Sequence, residues 1–210
     1  MPEQVVGTQT IIRNMIMDFI DVSDTTTPEY IRMGTGYTSL DENPNAQAES
    51  RPYISDRTAS NIIRGYEAQF PFTADLIASE RTIMKLYAIG RNQKQAGAAE
   101  VSYLRVEAFL PLNVANNYPA RLFRCAVEIS DTTGEGTQIL EMSGNLNQVG
   151  DFIPGVFDVS TRTFKTMEEW VADGNAPLVD NMFLPEGNGV ISATAYGGAR
   201  TKSKLPVDND

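Results

Sequence analysis

Histidine is missing from all 210 residues, and cysteine occurs once. Without histidine there is no Ser-His-Asp triad, no Cys-His dyad, no His-ligated zinc and no haem held by histidine. With Cys125 alone, neither an internal disulfide nor a CxxC metal or redox motif can form. Long apolar runs are missing too. Nothing reaches the roughly 18–20 residues of a membrane span, and the N-terminus lacks a basic segment followed by an apolar one. The expectation is a soluble, non-secreted chain.

Bases are also in short supply. The chain holds 17 Lys and Arg against 27 Asp and Glu, net −10. Residues 1–60 carry nine acids and four bases, 61–165 eleven and ten, and 166–210 seven and three. The middle is nearly balanced and the excess acidity sits at the two ends. With no basic block, the chain is a poor candidate for gripping nucleic acid through its phosphates. It suits a surface to which nucleic acid must not stick.

What is present reads as one globular domain. The sequence is 41% hydrophobic and 21% charged, with 16 Gly and 11 Pro, an ordinary balance for a folded chain. A chain of this length buries roughly 70% of its unfolded surface and needs no disulfide or metal to do so. Residues 1–28, with a short apolar stretch from Ile11 to Ile20 that fits neither period cleanly, read as an N-terminal arm or an early strand. Residues 29–33 read as a strand entering a turn at Gly34-Thr35-Gly36. That Gly-x-Gly lacks the third glycine and the βαβ setting of a dinucleotide fingerprint. Residues 41–52, with Asn43, Pro44, Asn45 and Pro52, read as a long loop.

Beyond the loop, Ile62, Tyr66, Ala68, Phe70 and Phe72 alternate with Ile63, Gly65, Glu67 and Gln69, as one long strand with an apolar face would. Leu76, Ile77, Ile83, Met84 and Tyr87 form a helical stripe, predicting a helix over 74–89 capped by Thr73 or Asp75 and ended by Gly90. Further strands are expected over 101–110, 121–130, 137–146 and 157–164. The sum is a mainly β chain, an antiparallel β-sandwich or barrel over 29–165 with one flanking α-helix. Residues 166–210, periodic only at 167–171 and 190–196, read as a C-terminal arm or extension. Cys125 shares an alternating face with Phe123 and Val127 and is expected to be a buried, inert thiol.

Catalytic chemistry finds little footing. The acid pairs Asp41-Glu42 and Glu168-Glu169 are neighbours in sequence, which point apart, whereas glycosidase chemistry needs two carboxylates across a cleft. The Asp and Asn cluster at 41–45 lacks the spacing of a calcium loop. The reading is a protein that is not an enzyme, with no cofactor and no metal.

Four stretches in order carry a resemblance: Met33-Gly34-Thr35-Gly36-Tyr37-Thr38; Leu40-Asp41-Glu42-Asn43-Pro44-Asn45-Ala46-Gln47; Tyr53-Ile54-Ser55-Asp56; and Gly65-Tyr66. With Ala74-Asp75-Leu76-Ile77 and Leu86-Tyr87-Ala88-Ile89-Gly90-Arg91-Asn92, they resemble the major tail proteins of siphophages infecting Gram-positive bacteria. The resemblance runs over roughly 29–110. It implies the tail-tube fold shared with phage tail tubes and type VI secretion tubes. It also implies hexameric rings stacked into the hollow tail tube of a long flexible tail, through which the genome is ejected. The chain would then be a virion protein assembled in the host cytoplasm. Its partners would be itself, the tail terminator, the baseplate or distal tail proteins and a tape measure protein in the lumen. DNA would be present only in transit, and no membrane would be involved. The implied inter-subunit contact is the loop, through Asp41, Glu42, Asn43, Pro44, Asn45, Gln47 and Tyr53, with help from both arms. Arg64, Arg105, Arg121 and Arg124 are then expected to be matched by acids or turned from the bore. Rival readings are the inner tube of a contractile tail, tailocin or type VI-like system, a monomeric ligand-binding β-barrel, and a hydrolase using acids.

Overall fold

The computed structural model describes residues 10–51, 54, 60–112 and 114–178. Eleven strands and two α-helices are found among them. In chain order they are β1 (Ile16–Asp21), β2 (Tyr30–Arg32), β3 (Tyr37–Leu40), β4 (Ala46–Arg51), β5 (Ser60–Tyr66) and β6 (Gln69–Asp75). Then come α1 (Arg81–Arg91), β7 (Glu100–Glu107), β8 (Asn117–Thr133), β9 (Glu141–Gln148), β10 (Ile153–Asp158), β11 (Thr163–Thr166) and α2 (Met167–Ala172). Nine strands make one antiparallel sheet in the order β2-β1-β7-β8-β9-β6-β3, with β10 added to β8 and β11 to β10. The long β8 organises it. Its residues 120–126 pair β7 on one edge, while the other edge is taken by β10 over 117–122 and by β9 over 125–133.

The sheet curls. β6 and β7 stand three places apart in strand order, about 14 Å along a flat sheet. Yet the Phe70 and Tyr103 rings are 4.6 Å apart and Phe70 and Phe123 4.9 Å. The resulting core gathers Ile20, Leu40, Phe70, Phe72, Tyr103, Phe123, Cys125, Met142 and Leu146 with Ile83, Leu86 and Ile89 of α1. A second cluster, Phe19, Tyr30, Leu104, Val106, Ala120 and Phe157, lies on the opposite face of β1, β7 and β8. The mainly antiparallel β architecture with one main helix is therefore as the sequence reads, and Cys125 is buried.

Several elements differ from expectation, each for a physical reason. The helix expected over 74–89 starts only at Arg81, because Gln69–Asp75 alternates buried and half-buried residues and pairs with β9 as far as Asp75 opposite Glu141. Thr73 and Asp75 thus sit in a strand rather than at a helix cap. Gly90 lies inside α1 instead of ending it. A Cβ there would come within 2.6 Å of Ile129, so glycine is what lets the helix settle on β8. The single strand expected from Ile62 to Phe72 is two, β5 and β6, in different sheets. The loop expected over 41–52 contains a strand, β4, paired antiparallel with β5 as a separate two-stranded sheet. The N-terminal segment, expected as an arm or an early strand, holds a strand, β1, between β2 and β7, with its period blurred by the buried acid Asp18. The strand expected over 137–146 starts at Glu141, and the one expected over 157–164 is the β10–β11 turn, where Arg162 takes φ 57°. Residues 167–172 are α2, set by a capping box between Thr166 and Glu169, with Trp170 buried. The expected apolar segment at 190–196 lies outside the described residues.

Candidate functional site

The β4–β5 hairpin stands apart from the main sheet, and its root is charged. Register produces that root. Cross-strand neighbours on β1, β7 and β8 form the row Ile20–Tyr103–Phe123, then the row Asp18–Arg105–Arg121, and Ile16 opposes Glu107 beyond them. The apolar core therefore gives way, one row along, to two guanidinium groups placed directly opposite each other. Like charges facing across a ladder repel. Glu42, from the segment between β3 and β4, bridges them.

Arg121 Nη1 and Nη2 donate to the two Glu42 carboxylate oxygens at 2.7 and 3.0 Å, and Arg105 Nε lies 3.0 Å from the same carboxylate. Arg121 Nε donates to Glu107 at 3.1 Å. Arg105 Nη1 reaches Asp18 at 3.3 Å and the Tyr103 hydroxyl at 3.2 Å, and Tyr103 donates to Asp18 at 2.5 Å. Arg13 closes the cluster, donating to Asp18 at 2.6 Å and to the Leu40 carbonyl at 2.8 Å. Three acids and three arginines balance.

Burial and charge set the proton affinities. Burial alone would raise the Glu42 pKa, but the Arg121 hydrogen bonds and the two guanidinium charges outweigh it and hold the carboxyl below its usual range. Glu107 goes the other way. Burial pushes it up to about 7, since its one partner, Arg121, is already shared with Glu42. Burial and the Asp18 charge raise the Tyr103 hydroxyl well above its normal value. Next to this cluster opens a cavity of about 600 Å³, lined by Glu42, Glu107 and Arg121 together with Phe109, Phe152 and Leu178.

Each residue expected at the loop contact has a definite place. The Asp41 amide donates to the Pro71 carbonyl at 3.0 Å, tying the segment to β6. Glu42 spends its carboxylate inside the subunit. Asn43 exchanges two backbone hydrogen bonds with Gln69, both 2.8 Å. Pro44 and Asn45 are exposed, and Asn45 takes φ 48° to turn the chain into β4, where Gln47 lies. Tyr53 lies outside the described residues. Asp18, Tyr103 and Glu107 were not singled out from sequence. Their signal is the parity of Tyr103, Arg105 and Glu107 on one strand face. The arginines expected to be matched by acids are matched. Arg105 and Arg121 pair as above, Arg64 pairs with Glu49, and Arg124 lies 3.4 Å from Glu100.

No family model matches the sequence, and no curated protein matches it. The fold, however, is found elsewhere. A chain of the SPP1 tail tube superposes with a TM-score of 0.56 at 12% identity, covering 87% of this chain and 99% of that one. A chain from the tail of an empty GTA particle, refined with C6 symmetry, superposes with a TM-score of 0.50 at 8% identity, covering 68% and 97%. These likenesses establish the fold. Among the described residues no helix is long and apolar enough to cross a membrane, and no cluster of His, Cys, Asp and Glu is arranged to hold a metal ion.

Proposed function

We propose that this chain is the structural subunit of a phage tail tube, polymerising through its β4–β5 hairpin into stacked hexameric rings. The rings form a conduit for genome ejection in a long, non-contractile tail. The observation that carries the reading is the fold match over nearly the whole length of the SPP1 tail tube chain. The isolated hairpin supports it, because a two-stranded sheet alone in water is marginal and gains stability from a covering surface. The contact residues are Asp41, Asn43, Pro44, Asn45 and Tyr53, with Glu42 fixing the root from inside and Gln47 on the hairpin's other face beside Glu67. The terminal arms, read from the sequence over 1–28 and 166–210, contribute further contacts to neighbouring subunits. The tube is capped by a terminator, seated on a baseplate or distal tail protein and threaded by a tape measure. It acts as a virion component and performs no catalysis.

The test is direct. The purified chain, concentrated over a range of salt, is imaged by electron microscopy, and hollow tubes with six subunits per ring are expected. A chain that remains monomeric at every concentration and salt overturns the reading.

A further inference from the structure

The β4–β5 hairpin carries a register irregularity that decides which of its faces is sticky. Ala48 pairs with Ile63, but the next residue back on β4, Gln47, pairs with Gly65, so Arg64 is an extra residue on β5. Directly opposed residues share a face, and successive residues alternate. Ile63 and Tyr66, opposite Ala48 and Ala46, therefore lie on one face. Ile62, opposite Glu49, lies on the other with Gln47 and the Glu49–Arg64 ion pair. Without the bulge, Ile62 and Tyr66 would share a face and neither side would be clean. With it, one face reads Ala46, Ala48, Ile63 and Tyr66. Its two large members are 56% and 59% exposed.

Resting on the tail-tube reading above, we infer that this alanine, isoleucine and tyrosine face, and not its opposite, is the surface that docks on a second copy of the chain. Charge favours a second copy as the occupant. Strands β4 and β5 hold two arginines and one acid, net +1, whereas the rest of the chain holds 15 bases and 26 acids, net −11. The hairpin is the positive projection of a strongly negative body, and another body is its electrostatic complement. The contact joins unlike surfaces, the hairpin of one copy and the body of the next, which is the kind that builds rings or open helical stacks rather than closed dimers.

The experiment compares three single substitutions on one strand, all at exposed side chains: Ile63→Ser, Tyr66→Ser and Ile62→Ser. Thermal unfolding of the dilute proteins checks that each folds like the wild type. The concentration needed for polymerisation is then read by sedimentation and electron microscopy. Ile63→Ser and Tyr66→Ser should each raise it about tenfold or more, as loss of a central interface anchor does, while Ile62→Ser stays within about twofold. If the wild type polymerises and Ile62→Ser weakens it as much as Ile63→Ser does, or none of the three weakens it, the one-sided face is overturned and the tube reading stands. Binding to a different chain with no self-association would overturn both.

Discussion

Replacing Glu42 with alanine removes the one carboxylate that stands between two opposed guanidinium groups. Arg105 and Arg121 are direct cross-strand partners, and Glu42 takes hydrogen bonds from Arg121 at 2.7 and 3.0 Å and an ion-pair contact from Arg105 at 3.0 Å. Removing one member of a buried ion pair costs about 3–5 kcal/mol, because the remaining charge is left desolvated and unpaired. Here the side chains of Glu42 and Arg121 keep 20% and 29% exposure, so water can partly replace the lost carboxylate. Arg105 keeps only 6%, so water cannot reach it in the same way and it falls back on Asp18 at 3.3 Å. The expected loss is about 2–4 kcal/mol, a fall of roughly 4–16 °C in Tm for a chain of this size. Thermal unfolding of Glu42→Ala, Arg121→Met and the double variant should show coupling of about 2 kcal/mol. Hydrogen exchange should quicken at Asn43 and Gln69, whose reciprocal backbone bonds lie next to Glu42. Arg64→Ala is the internal contrast. Its pair with Glu49 leaves the arginine 56% exposed, and such pairs contribute about 0.2–1 kcal/mol at most. A Glu42→Ala protein that loses less than Arg64→Ala does, or a double variant whose losses simply add, would refute the account of the charged root.

Three further outcomes follow from the same fold. Glu107 titrates at about 7 in the fold against 4.5 when unfolded, so it costs stability as pH rises from about 4.5 to about 7, by up to about 3 kcal/mol. Glu107→Gln, which keeps an acceptor for Arg121, should flatten the Tm-against-pH curve between about pH 4.5 and 7, and an unchanged slope would count against it. Gly90→Ala places a Cβ 2.6 Å from Ile129 and should lower stability by about 1–3 kcal/mol as α1 is forced off β8, read by denaturant unfolding; a neutral or stabilising effect would show that the helix can shift freely. Cys125 is fully buried and burial pushes its thiol up to about 12, so thiol reagents should label it only at the rate of opening, with rapid labelling of the native chain the contrary result.

The legibility of this chain in its sequence tracks where physics is local. A strand with clean alternation, such as β9, declares itself because one face is buried and the other is not, whereas β7 is buried on both faces from Tyr103 to Glu107 and is betrayed by its apolar content instead. The stripe from Leu76 to Tyr87 misled in its first half. Leu76 and Ile77 belong to the turn after β6 and pack on the core from there, so apolar residues of a turn and a helix merge into one apparent period. β1 was obscured for the opposite reason. Its inward position at Asp18 is charged, and the charge is tolerated only because Tyr103, Arg105 and Arg13 arrive from distant parts of the chain. β4 was hidden because a hairpin that none of the described residues covers has no core face to write into the sequence. The bulge at Arg64 compounds this by breaking the period of β5, and no local residue pattern announces it.

The charged root and the bare hairpin face are two halves of one arrangement. An association surface on a loosely attached hairpin would have to be ordered each time two copies meet, and that ordering would subtract from affinity. Here the chain entering the hairpin is fixed before any partner arrives, by the Asn43–Gln69 backbone pair and by Glu42 held between Arg105 and Arg121. The chain leaving it is fixed at Ala68, whose carbonyl accepts from the Gln148 amide at 2.9 Å. Both legs are therefore anchored while the Ile63 and Tyr66 face stays open. The anchoring also consumes cations. Arg13, Arg105 and Arg121 neutralise three acids inside the fold, and Arg64, Arg81, Arg124, Lys85 and Lys165 pair with acids elsewhere. With so many of its 17 bases already matched, a chain of net −10 has little positive charge left to hold a passing polyanion by counterion release. On the tail-tube reading proposed above, the pairs that hold the hairpin in place would thus also lower the protein's hold on passing nucleic acid.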